Sequence, residues 1–104
     1  MASSREYLDF VLEQLSGLEG VTHRGMMGEY ILYYRGKVVG GIYDDRFLVK
    51  DTASARRLLA EAPLEIPYEG AKAMLLADVD DRELLRELIP AVAEDLPEPR
   101  KRKT

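Results

Sequence analysis

Three cations stand beside glycines or strand ends in this sequence. Arg24 leads into Gly25, Lys50 closes Arg46-Phe47-Leu48-Val49-Lys50, and Lys72 follows Gly70 in Pro67-Tyr68-Glu69-Gly70-Ala71-Lys72. Glycines in such places let backbone amides approach a ligand, and neighbouring cations donate to an anion. The expectation is a shallow polar site for an acidic group of a partner or small ligand, lined by Arg24 and Lys50 with Tyr68 and Lys72 at its margin. The alternative is a β-bulge and a loop whose cations pair with nearby carboxylates, at ~0–1 kcal/mol per exposed pair.

Other chemistry is sparse. The chain has no cysteine, which removes disulfides, thiolate metal sites and thiol nucleophiles. His23 is the only imidazole, and no neighbouring motif supplies the nucleophile, positioned water or co-ligands it would need. It reads as a surface or structural histidine. Asp44-Asp45 and Asp78/Asp80/Asp81 suit a hairpin turn and a helix cap, and the second group lacks the glycine and later glutamate of a calcium loop. Met26-Met27 reads as core filling beside a glycine turn. No enzyme activity, cofactor or metal is expected.

Charge is unevenly placed. Of 15 basic residues, Arg100, Lys101, Arg102 and Lys103 fall within the last five positions. Residues 1–99 therefore carry 11 basic against 19 acidic side chains, a net −8. Such a body repels nucleic acid, so a phosphate-tracking groove is disfavoured. Residues 97–104 read as a disordered, Pro- and basic-rich solubilising tail after a single domain over 1–96. The other reading of the tail is an arm that touches nucleic acid or an acidic partner. No apolar stretch approaches the ~20 residues of a membrane span, and the start does not resemble a signal peptide, so a cytoplasmic location is expected.

The elements that must position the cations follow from periodicity. Leu8, Val11, Leu12, Leu15 and Leu18 recur at helical spacing, with Ser3 and Glu6 as a capping box and Gly17 as the left-handed stop, giving a helix over about 4–16. Tyr30–Tyr34, Lys37–Tyr43 and Arg46–Lys50 alternate as strands joined at Arg35-Gly36 and Asp44-Asp45. Thr22 to Met27 is a candidate fourth strand. Two-residue turns would pair Tyr33 with Val38, Ile31 with Gly40, and Gly40 with Val49. Ile31, Tyr33, Val38, Ile42, Phe47 and Val49 would then face the helices. Tyr30, opposite Gly41, would cover the gap left by Gly40 and Gly41. A second helix starts at Asp51 or Thr52 and stops at Pro63; Leu64–Tyr68 is extended, and Ala73–Ala77 is a buried strand. Asp80 with Glu83 caps a last helix through Leu84, Leu85, Leu88, Ile89 and Val92, which Pro90 should kink or split. The class is α+β, an antiparallel β-meander with helices packed on one face, in the order α-β-β-β-β-α-β-α.

Arg24-Gly25-Met26-Met27-Gly28-Glu29-Tyr30-Ile31 resembles the arginine-x-methionine-phenylalanine-glycine-glycine-x-glycine-isoleucine signature of the TfoX/Sxy family. Those bacterial proteins are named for regulators of natural competence. Arg35–Val39, Asp45–Lys50, Pro67–Met74 and Leu96–Pro99 match further family segments in order, so the resemblance spans about residues 5–99. Met27 replaces a phenylalanine and Glu29 the second glycine, which removes a backbone freedom at that point. The resemblance implies the N-terminal domain of the family, without the helical C-terminal domain of longer members. It implies a non-enzymatic regulatory or protein-interaction role, with an unidentified protein partner and room for homodimerisation. Two other roles are a nucleic-acid-associated protein using the basic tail, and a small anionic-ligand-binding domain.

Overall fold

Alternating residues from 21 to 50 form four consecutive antiparallel strands. The structure, a computed structural model, describes residues 4–97. Helix α1 (Arg5–Gln14) precedes β1 (Val21–Met26), β2 (Glu29–Tyr34), β3 (Lys37–Ile42) and β4 (Phe47–Val49). Helix α2 (Ala53–Leu58), β5 (Leu64–Glu65), β6 (Met74–Leu76) and α3 (Arg82–Asp95) follow. One antiparallel sheet results, in the order β1-β2-β3-β4-β6-β5. The class is α+β as expected, the extended segment at Leu64 adding a two-residue strand.

Three strand connections are two-residue turns built on positive φ. Met27-Gly28 (54°, 85°), Arg35-Gly36 (52°, 85°) and Asp44-Asp45 (54°, 55°) take the left-handed pairs whose twist matches a hairpin. Gly25 does not break β1, which pairs with β2 from Val21 to Met26.

The register differs from expectation at one place, and that reverses which side chains of β2 and of the start of β3 face the helices, while Ile42, Phe47 and Val49 are in the core as expected. Tyr33 pairs with Val38 and Gly40 with Val49, but Leu32 pairs with Gly40 and Ile31 with Gly41. Val39 is therefore an extra residue in β3, a β-bulge that flips side-chain parity along the strand. The helix-covered face carries Leu32, Val39, Ile42, Phe47, Val49 and Leu75, all nearly or fully buried. Ile31, Tyr33 and Val38, expected inside, belong to the opposite face. Leu8, Val11 and Leu15 of α1 and its C-terminal turn, Ala55 of α2, and Leu85, Leu88, Ile89 and Val92 of α3 complete the core.

Helix ends also shift by a residue. Ser4 caps α1, its Oγ accepting from the Tyr7 amide at 3.0 Å, in place of Ser3. Gly17 is not left-handed; α1 ends at the Leu15 cap. Thr52, one of the two expected caps, does cap α2, whereas Asp81 rather than Asp80 caps α3 by accepting from the Leu84 amide at 3.1 Å. Helix α3 is not split at Pro90, because its buried face on both sides of the proline holds it to the sheet and α2.

Candidate functional site

Two of the three cations converge with a tyrosine on the sheet face away from the helices. There the loop after β5 turns back beside β3 and β4. A cavity of about 470 Å³ is lined by Ile31, Val38, Tyr43, Lys50, Tyr68 and Lys72, among others. Lys50 is half-buried at the end of β4, where strand alternation turns its side chain opposite to the core residue Val49. Gly70, at φ +90°, turns the loop so that Ala71, Lys72 and Ala73 line the cavity. Tyr43 and Tyr68 form a tilted ring pair with centroids 6.0 Å apart.

The electrostatics favour an anion. Among the described residues, neither Lys50 nor Lys72 forms an ion pair, while Arg46 is already held by Glu65 at 2.6 Å and Arg56 by Asp51 at 2.6 Å. An ammonium without a carboxylate partner gains from a carboxylate or phosphate brought beside it. Burial raises the Tyr43 hydroxyl above the usual tyrosine range, with the neighbouring Tyr68 and Glu29 adding to it, so it remains a neutral donor. The Asp51 carboxylate also lines the cavity but is held by Arg56, so aromatic and aliphatic walls with two unpaired lysines suit an acidic group carried on an apolar body.

Arg24 stands apart from this cavity. It lies opposite Ile31 and so on the same face, but on the far edge strand β1, exposed. Three strand spacings separate β1 from β4, about 14 Å. The basic residues 100–103 lie outside the described residues. His23 is exposed on β1, edge-on to Tyr30 with centroids 6.3 Å apart. Asp44-Asp45 form a turn, with Asp45 Oδ1 accepting from the Ser4 amide at 2.8 Å. Among the described residues no three metal-ligating side chains converge.

Met26 and Met27 are not core. They are 49% and 96% exposed: Met26 shares with Arg24 the face of β1 away from the helices, and Met27 stands in the β1–β2 turn. Tyr43 was missed as a site residue. Its spacing two residues after Gly41 was the available signal, since strand alternation places its ring over that glycine: a Cβ there would meet the ring at 2.7 Å. Tyr43, rather than Tyr30, covers the gap. A larger hollow of about 760 Å³, lined by Tyr7, Arg46, Glu61 and Asp78, lies where α2 meets β6; it holds none of the expected cations, and the Arg46 that lines it is already paired with Glu65.

The model of the TfoX N-terminal domain matches residues 13–90, and the chain belongs to that family. The chain is also 36% identical to an uncharacterised 12.7 kDa protein in the trpE 5' region of Spirochaeta aurantia, over 99% of this chain and 91% of that protein. No solved structure matches. No helix among the described residues is long and apolar enough to cross a membrane.

Proposed function

We propose that the chain is a non-enzymatic, cytoplasmic regulatory domain that recognises an acidic group of a protein partner in the Lys50–Tyr68–Lys72 cavity. The observation that carries this reading is the half-buried Lys50 without a carboxylate partner among the described residues, in a cavity shared with Lys72 and two tyrosines. A structural lysine would pair or extend into water. Membership of the TfoX N-terminal domain family supports a regulatory role, of the kind for which the competence regulators are named. Immobilised protein should recover a partner from native bacterial lysate. The Lys50→Ala/Lys72→Ala variant should lose that partner while its Tm stays within a few degrees. Recovery that survives the double substitution overturns the reading.

A further inference from the structure

The two edges of the sheet are built differently. Strand β5 is two residues long and sits between Pro63 and Pro67, a form that resists further pairing. Strand β1 is six residues long, without proline or bulge, and exposed from Thr22 to Met26. It follows a two-residue turn, so Met26 and Glu29 exchange hydrogen bonds and parity fixes the rest. Thr22, Arg24 and Met26 turn their amides and carbonyls to β2. Val21, His23 and Gly25 turn theirs outward.

We propose that this edge pairs with β1 of a second copy of the chain, antiparallel and centred on His23. That register alone engages all three outward residues: Val21 meets Gly25, His23 meets His23, and Gly25 meets Val21. Its charges agree as well. The only fully charged side chain in β1, Arg24, falls opposite Thr22 of the second copy instead of opposite itself. A register centred on Arg24 would set two guanidiniums face to face, which is destabilising. The two-fold axis of such a pair runs perpendicular to the sheet. Both sets of helices therefore lie on one side, and both Lys50–Lys72 cavities open on the other. Two six-stranded sheets become one, with the two Arg24 side chains on the open face near the axis. This pairing is independent of what the cavity binds.

The test is sedimentation velocity on the full chain from roughly 1 μM to 1 mM, the range suited to an interface below ~1,200 Å². The mass should rise with concentration from 11.8 kDa to twice that value. Gly25→Pro should hold the protein as a monomer. Its amide points outward, and a Cβ at that position meets nothing closer than 3.7 Å, so the β1–β2 ladder is spared. Thr22→Glu, facing Arg24, should tighten the dimer about two- to tenfold from its two symmetric contacts, and Thr22→Lys should weaken it similarly. These two exposed substitutions decide the matter even if the proline variant fails to fold. The Lys50→Ala/Lys72→Ala variant should still dimerise. A monomer at every concentration, as expected if β1 awaits a strand from another protein, overturns the proposal. So does a dimer indifferent to both charges at position 22.

Discussion

At the residue scale, two adjacent glycines in β3 serve different neighbours. A Cβ on Gly40 would drive into the Leu48 carbonyl oxygen and lie 2.9 Å from the Val49 Cα, where only backbone movement gives relief. Gly40→Ala should therefore cost more than about 2 kcal/mol in urea denaturation, the scale of an overpacked core. An unchanged midpoint would show that β3 and β4 separate easily. Gly41→Ala pushes on the Tyr30 carbonyl and the Tyr43 ring together. It should lower stability, and should also weaken the proposed recognition of an acidic group, because Tyr43 is a wall of the cavity. Met27 is the opposite case. Its left-handed backbone, at φ 54°, holds a side chain that is 96% exposed. Met27→Asn should raise stability by about 0.5–1 kcal/mol, since asparagine tolerates that conformation and no burial is lost. A lower Tm would reveal a contact of Met27 within the fold.

At the element scale, α2 and α3 are tied by one carboxylate. Asp95 Oδ2 accepts from the Ser54 amide at 2.7 Å. This bond, with the Ser54 and Thr52 hydroxyls and the Arg57 charge, holds the Asp95 carboxyl below the usual range. The folded state thus favours the ionised form. Its contribution is complete above the unfolded value of about 4 and is lost as pH falls through the lower folded value. Stability should therefore decline with acid below about pH 4, and Asp95→Asn should flatten that decline while lowering stability at neutral pH. Denaturation curves from pH 7 to 2.5 read both effects. Identical slopes would place the acid sensitivity elsewhere, with Asp51 the next carboxylate held low, by the Arg56 guanidinium.

At the scale of the molecule, Lys37 joins sheet to helix. It stands on the helix-covered face of β3 and donates through Nζ to the Ala93 and Leu96 carbonyl oxygens, at 2.9 and 3.2 Å. Those carbonyls belong to the last turn of α3, where a cation also meets the negative end of the helix dipole. Lys37→Met keeps the aliphatic stem and removes both bonds. The expected loss is about 1–3 kcal/mol, read as a lower urea midpoint with an unchanged slope. A shift under about 0.5 kcal/mol would mean that water replaces the lysine without cost.

Local chemistry alone determined the elements and their class. The period-3.6 stripe of α1, the alternation of 21–50 and the turns at Arg35-Gly36 and Asp44-Asp45 depend on neighbours a few residues away, and all are legible along the chain, whereas Met27-Gly28 was not read as a turn pair. The gathering of Lys50, Tyr68 and Lys72 was legible in part, because each lies at a strand end or a glycine turn. The core face was legible for Ile42, Phe47 and Val49, but not for β2 and the start of β3. There it depends on one extra residue, Val39, whose insertion costs nothing in the local pattern but reverses which alternate side chains meet the helices. Nor was the separation of Arg24, since strand order is a property of the assembled sheet and placed two strands, β2 and β3, between it and Lys50. Met26 and Met27 followed the same logic. Their apolar character suggested burial, but Met26 falls on the sheet face that the helices leave open and Met27 in the turn itself.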